Sequence, residues 1–374
     1  MRPEFLLDTE VVFLNHGSFG ACPRPVFERY QQWQRELEAQ PVEFLARRLP
    51  DLLAAARRAL ADYVGADADD LVFVPNATSG VNVAARTLDL GPGDEVLGTN
   101  LEYGACDLLW EHVCAHAGAT YVRAVVELPV ARAEDVVDAL FARVNERTRV
   151  LFVSHITSET ALVLPVETIV ARAREHGLTT VVDGAHAPAH VPLDLAALGA
   201  DFYAGNCHKW MCAPKGAGFL HVRRELQDTV DGLIVGWGYR PDATFLTRSE
   251  RQGTRDPSAY LTVPAAIDWL AANDWDRVRA RCRELTRMAR RRLCRLEGVE
   301  PIADETLVAQ MASVRVPVDD PEALKQRLYD EYRIEVPVFA RKTEPLLRYS
   351  VAAYTDEQEL EALAAALAEL AELT

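Results

Sequence analysis

Asp183 and Lys209 close two apolar runs in the stretch TTVVDGAHAPAHVPLDLAALGADFYAGNCHKWMCAPKGAGFL, from Thr179 to Leu220. Val181 and Val182 are buried-strand residues by type, so the pattern predicts a strand that carries Asp183 to its carboxyl end, followed by a second strand ending in the lysine. In open α/β sheets that edge is where chemistry collects. A buried carboxylate there needs a cationic partner. Lys209 is embedded among Phe202, Tyr203, Trp210 and Met211, unusual company for a lysine. Desolvation of that kind lowers an amine's pKa and makes it a nucleophile towards aldehydes. Lys215, between Pro214 and Gly216, reads as a turn residue instead.

The histidines that follow the acid allow two functional readings. Asp183, His186 and His190, joined by His208 or His155, could hold a metal for a hydrolase, although the spacing matches no compact motif such as HExxH. Alternatively Asp183 is the partner of a protonated ring nitrogen. An isolated DGAH string is equally a capped strand end. The lysine on the neighbouring strand favours the ring nitrogen. Upstream, NATSG (Asn76–Gly80) separates the apolar strand Leu71–Val74 from a helical pattern starting near Val81. Free backbone N–H groups and the helix dipole make such a turn an anion pocket, to which Thr78 and Ser79 add hydroxyls. The same residue types are ordinary helix caps. Tyr103 follows another strand, where its ring can cover something flat or simply fill an interface. An amine for an imine, a carboxylate for a pyridine nitrogen, a helix start for a phosphate and an aromatic cover suit one cofactor, pyridoxal 5'-phosphate.

Positioning these groups requires a sheet. After two amphipathic helical patterns, PVFERYQQWQRELEAQ and PDLLAAARRALADYVG, the chain alternates strand and helix over about 150 residues, which predicts an α/β fold with a mostly parallel sheet covered on both faces. Beyond Tyr260 the pattern changes to a smaller α+β unit. The expected division is an N-terminal segment 1–20, a large cofactor-binding domain 21–255 and a small C-terminal domain 256–374. The opening loop FLNHGSFG reads from its own composition as a connector that can carry function. Its Asn15 and His16 are candidates at the substrate, and His16 and His190 join Tyr103 as candidate proton donors.

The 374 residues are 49% hydrophobic and 26% charged, an ordinary globular composition. A formal net charge of -16 repels a phosphate backbone, so nucleic acid is excluded as the main partner and small molecules are favoured. Seven cysteines without a CxxC pair read as reduced thiols in a cytoplasmic protein. The start MRPEFLLDTEVVFLN reads as no secretory leader, and no apolar run is long enough to span a bilayer.

FLNHGSFG, NATSGVN, EYGA, VVDGAHA, GNCHKWMCAPKGAGF, QGTRD and LLRYSVAAY together resemble the isopenicillin N epimerase-like branch of the class V aminotransferases, enzymes of fold type I that depend on pyridoxal phosphate. The resemblance spans nearly the whole chain. It implies that Lys209 forms the internal aldimine, that Asp183 pairs with the pyridinium, that His186 lies near the phenolic oxygen and that Tyr103 stacks on the ring. It implies phosphate contacts from Thr78, Asn206 and His208, with Thr254 reaching in from the other subunit of a homodimer that shares its active sites. Ser158 falls where relatives contact cofactor or substrate, with Ala161 replacing the usual glycine nearby. Arg348 matches the arginine that clamps the substrate's α-carboxylate, a task suited to its bidentate fork. Cysteine desulfurases keep a nucleophilic cysteine shortly before that arginine; IEVPVFARKTEPLLRY has none, which disfavours persulfide transfer.

The expected reaction begins with an amino acid displacing Lys209, which then removes the Cα proton to give a quinonoid. The outcome is β-elimination by a C–S lyase acting on a cysteine conjugate, or epimerisation. Transamination is the alternative within the class, and a metal-dependent hydrolase or a silent small-molecule binder the alternatives outside it.

Overall fold

The computed structural model describes residues 1–341 and 344–371. Its strands in chain order are β1 (Val12–Phe13), β2 (Leu71–Val74), β3 (Glu95–Thr99), β4 (Thr120–Ala124), β5 (Thr148–Ser154), β6 (Thr179–Gly184), β7 (Phe202–Asn206), β8 (Gly218–Val222), β9 (Glu300–Pro301), β10 (Met311–Arg315), β11 (Ile334–Glu335), β12 (Val338–Phe339) and β13 (Leu346–Ser350). The large sheet runs β2-β8-β7-β6-β5-β3-β4. From β4 to β7 neighbours pair parallel, whereas β8 is antiparallel to both of its partners. β3, β7 and β8 are buried along their whole length, as a mainly apolar strand is in a sheet covered on both faces.

Register brings the chemistry to one edge. Ser154, the last residue of β5, pairs with Asp183 of β6, which pairs with Ala204 of β7. Gly184 follows the acid, and a Cβ there would lie 2.2 Å from the Tyr203 ring, so only glycine lets that ring pack beneath the strand end. β7 ends at Asn206, three residues earlier than the pattern predicts, because the chain then folds back on itself. Cys212 N–H donates to the Lys209 carbonyl and Ala213 N–H to the Cys207 carbonyl, with Cys212 at φ 58. Lys209 therefore sits on a tight turn rather than on a strand. The helix expected from Val81 begins at Ala77 (Ala77–Thr87), because the Asn76 side chain accepts the Ser79 N–H at 2.9 Å and caps it. Thr78 and Ser79 thus lie in its first turn.

Four antiparallel strands, in the order β12-β13-β10-β9, form the second sheet. Its core takes Cys282, Leu285 and Leu293 from the helix Trp275–Leu293, and Leu363 and Leu367 from the helix Glu357–Ala371. The stretch from Ser258 to Trp275 goes elsewhere: Tyr260, Val263, Leu270 and Trp275 belong to the large core, so apolar packing separates the two units within the helix Trp275–Leu293 and not at residue 256. The N-terminal segment belongs to both units. β1 pairs parallel with β11, Leu14 is buried in the C-terminal core, and the following loop crosses to the lysine turn. Gly20 makes that crossing at φ +70, where an added Cβ would lie 2.0 Å from the His208 carbonyl oxygen.

Gly20→Ala is expected to destabilise the protein by roughly 2–4 kcal/mol, since it combines a left-handed backbone with a backbone clash. Gly177→Ala, at φ +68 with nothing within 4 Å, provides the control and should cost about 1 kcal/mol. Urea midpoints of the two variants measure the difference.

Candidate active site

The carboxyl ends of β6 and β7, the start of the helix Ala77–Thr87 and the β13 strand enclose a cavity of about 460 Å³. Of the residues singled out in the sequence, Thr78, Tyr103, Ser158, Asp183, His186, Asn206, His208, Lys209 and Arg348 line it. Depressions of about 550 and 540 Å³ lie elsewhere on the surface, and neither is lined by a buried titratable group.

Lys209 is half-buried as a residue but enclosed at its amine, and burial depresses its pKa to about 7. The Arg348 charge lowers it further, while Asp183 and Cys106 act in the opposite sense. Its Nζ lies 3.2 Å from His186 Nε2. Trp210 Nε1–H points at His186 Nδ1 from 3.4 Å, and burial followed by the charges of Lys209 and Arg348 holds the imidazole well below its ordinary pKa. A neutral ring that accepts at Nδ1 carries its proton on Nε2, directed at the amine. Lys209 is then the acceptor, which requires the uncharged base.

Asp183 is buried, and burial raises its pKa. One carboxylate oxygen accepts the Ala185 N–H at 2.9 Å, and the Cys106 thiol donates to the other at 3.6 Å. The far end of the cavity offers donors. Asn206 Oδ1 accepts the Ala77 N–H at 2.8 Å, which orients its amide beside the helix start. Among the described residues neither the N–H nor the hydroxyl of Thr78 has a protein partner. His208 joins them, its Nδ1 donating to the Ala217 carbonyl at 3.0 Å. Burial lowers its pKa to about 4, so an anion bound there must compete with that desolvation.

Arg348 comes from β13 and is almost wholly buried. Its Nη1 donates to the Ser158 carbonyl at 2.7 Å and its Nη2 to Ser18 Oγ at 3.0 Å, while its Nε is buried without a partner. Arg348 lines the cavity, and a buried guanidinium there suits an anionic oxygen. Ser158 is held by a tight loop: Thr157 Oγ1 accepts the Leu162 N–H at 2.8 Å, and Ala161 takes φ 58. The alanine keeps the left-handed backbone of a glycine position, at a strain of about 1 kcal/mol. Tyr103 precedes the helix Gly104–Ala117, its side chain 43% exposed and without a hydrogen-bond partner among the described residues, free to cover a ring. The donor end, the buried acid, the amine and the arginine, all lining one cavity, fit pyridoxal phosphate and a carboxylate-bearing substrate.

Other expected residues lie outside the cavity. The Ser79 hydroxyl bonds to Asn76 Oδ1 at 3.1 Å and serves the helix cap. His16 is buried behind the lysine turn, with Nδ1 at 3.1 Å from the Tyr354 hydroxyl and Nε2 at 3.1 Å from the Lys209 carbonyl. Asn15 spans Glu335 and Ser18, at 2.9 and 2.5 Å. It therefore reaches Arg348 only through Ser18. His190 accepts the Gln310 N–H at Nε2 (2.8 Å) and donates from Nδ1 to the His186 carbonyl (3.0 Å). Burial lowers the pKa of both His16 and His190 to about 3. Neither histidine is placed to deliver a proton to the cavity, and His190 has no free nitrogen for a metal. Among the described residues no group of three or more His, Cys, Asp or Glu could hold a metal ion, so the hydrolase reading lacks its donors. Thr254 is exposed and does not line the cavity of its own chain. Residues 342 and 343, within the cysteine-free stretch before Arg348, lie outside the described residues. No helix among the described residues is long and apolar enough to cross a membrane.

Ser18, which sequence offers only as part of the opening loop, and Ser154, which it does not single out, both line the cavity, and Lys215 reads in sequence as a turn residue. Lys215 also lines the cavity, and its Nζ donates to the Gly20 carbonyl at 3.1 Å. Only the position of Ser154 at the end of an apolar strand could have signalled its place.

A family model, Aminotransferase class-V, matches residues 12–363. The chain is 42% identical to isopenicillin N epimerase of Amycolatopsis lactamdurans, over 99% of this chain and 97% of the relative. Among solved structures it resembles a complex of the cystine C–S lyase C-DES with its reaction product cysteine persulfide, at TM-score 0.86 and 26% identity, covering 96% of this chain and 98% of that one. A C-DES mutant with glycine covalently linked to the PLP cofactor superposes equally well, at TM-score 0.86 and 25% identity over 99% of both chains.

Because burial brings the Lys209 amine to about 7, cofactor-free protein should react with a small aldehyde at this lysine with a midpoint near pH 7. Arg348→Met removes a charge that lowers the amine's pKa and should move the midpoint up by roughly half a unit or more. Peptide mapping across pH reads both; a wild-type midpoint near that of a free lysine contradicts the assignment.

Proposed function

This chain belongs to the aminotransferase class-V family, and from that premise we propose that it is an amino acid epimerase, acting at Cα with pyridoxal 5'-phosphate. The cofactor belongs to the fold, and the observation that carries the reading is the enclosed Lys209 amine, whose pKa burial lowers to about 7, in a cavity that a buried acid and a buried arginine also line. When bound, pyridoxal phosphate supplies an electrophilic aldehyde carbon and a ring that accepts the electron pair released at Cα.

The protein's own groups then have separate tasks. Arg348, fixed by the Ser158 carbonyl and the Ser18 hydroxyl, grips the substrate's α-carboxylate and sets which Cα bond faces the amine. Lys209 removes the Cα proton, a role to which its pKa near 7 is matched. Asp183 holds the ring nitrogen protonated; pairing with that cation offsets the burial that raises its pKa. Thr78, Asn206 and His208 hold the phosphate. His186, whose Nε2 lies 3.2 Å from the Lys209 amine, would hydrogen-bond the phenolic oxygen of the bound cofactor. Tyr103 would cover the ring and, of the three candidate donors Tyr103, His16 and His190, is the one that lines the cavity and could return a proton. Ser79, Asn15 and His16 act indirectly, on the helix cap, on Ser18 and on the lysine turn.

Identity of 42% over nearly the whole length of an epimerase supports this outcome over its rivals. One observation favours β-elimination by a C–S lyase as the second reading: elimination needs only Lys209, and the fold matches the cystine C–S lyase at TM-score 0.86. The site is shared in a homodimer, Thr254 of the second copy reaching the phosphate. Its exposure, and the exposed Ile234, Val235 and Trp237 preceding it, support that arrangement. All seven cysteines are free, which suits the cytoplasm.

Incubation with candidate L- and D-amino acids in heavy water separates the outcomes. Epimerisation gives deuterium at Cα with scrambled chirality, elimination releases pyruvate and thiol, and exchange with retained chirality contradicts both. Arg348→Lys should lower kcat/KM by about 100-fold or more on the accepted substrate, since a point charge cannot replace the fork.

A further inference from the structure

A second carboxyl is buried beside the cavity and takes no part in the chemistry above. Glu102 precedes Tyr103 in the turn between β3 and the helix Gly104–Ala117. Its Oε2 accepts from both the N–H and the hydroxyl of Ser154, each at 2.7 Å, and its Oε1 lies 2.6 Å from Thr99 Oγ1. Thr99 Oγ1 in turn accepts the Leu101 N–H at 3.1 Å. Ser154 lines the cavity and is the register partner of Asp183. One side chain thus ties the ends of β3 and β5 to the turn that presents Tyr103. A neutral amide could make the same tie, and a carboxyl in so dry a position is costly unless its charge or its proton is used.

The titratable groups that interact with Glu102 are Asp183 from β6, Cys106 from the helix behind it and Tyr121 from β4. None of the three is a cation. Three hydrogen-bond donors favour the carboxylate, while burial and the neighbouring acid oppose it. Two carboxyls in one water-poor region do not ionise independently.

We propose that Glu102 is a positioning residue that also holds a proton for the site: it fixes Tyr103 and Ser154, and it stays protonated while Asp183 is charged. With Glu102 protonated, a charged Asp183 faces no second negative charge. The inference rests on the cofactor reading only for the task of Asp183; the proton on Glu102 does not depend on it. Burial lifts this carboxyl to about 7, against an ordinary value of 4.5. Between those values the folded chain keeps the proton and the unfolded chain has lost it. The stabilisation is therefore complete below 4.5 and is lost as pH rises through 7.

Glu102→Gln keeps an oxygen for Ser154 and an N–H for Thr99, and imitates the protonated acid. In cofactor-free full-length protein, the Tm of this variant minus that of the wild type should grow by a few degrees between pH 5 and pH 7.5, since titrations uncoupled from Glu102 are common to both. A flat or shrinking difference overturns the proposal. In the loaded enzyme, Glu102→Gln should retain cofactor affinity within about threefold, whereas Glu102→Ala, which loses the tie, should weaken it by about tenfold or more. Equal losses in the two variants overturn it as well. Failure of the cofactor reading would show differently, as wild-type protein that takes up no pyridoxal phosphate while the Tm difference still grows with pH.

Discussion

A lysine amine must be kept dry enough to lose its proton near neutral pH, yet close to an acid and an arginine. The rest of the structure depends on that constraint. In water the Lys209 amine would be charged; enclosed here, it falls to about 7. An exposed lysine could not serve as the base, and an amine enclosed without charged neighbours would be a plain desolvation penalty. Burial sets most of the depression, Arg348 adds to it and Asp183 opposes it, so the amine's basicity depends on two groups to which the proposed chemistry gives tasks.

Holding that balance explains the architecture. The parallel sheet delivers Asp183 and Ser154 in register, and the turn after β7 delivers Lys209. Arg348 comes from the second sheet, so the cavity closes only when the two units are docked. The N-terminal segment fastens that docking. β1 pairs with β11 in the C-terminal unit, Asn15 bridges Glu335 to Ser18, and Ser18 accepts from Arg348. His16 and Lys215 then pin this segment to the lysine turn through the Lys209 and Gly20 carbonyls. A loop that resembles a connector in composition is therefore the strap between the lysine turn and Arg348.

The sequence made the acid and the amine legible because each is marked by local pattern: β-branched residues before Asp183, and aromatic company around Lys209. The parallel sheet was legible from its alternation of apolar runs with helical patterns. Residues whose role depends on a distant partner were not. Ser18 matters through Arg348, 330 positions away, and nothing near it in the chain says so. His16 and His190 have the residue type expected of proton carriers, but burial and backbone partners turn them into packing and hydrogen-bonding groups. Ser79 kept its capping alternative because in sequence a cap and an anion site look the same. The Ser258–Trp275 stretch follows the change of pattern yet packs on the large core, since the apolar faces of these helices meet the earlier helices and not the second sheet.

The central claim is that Lys209 is the amine that carries the cofactor. Borohydride reduction of the cofactor-loaded enzyme, followed by peptide mass mapping, tests it most directly. The account predicts one pyridoxyl group per chain, on Lys209. A label on Lys215, or none on either lysine, would contradict it.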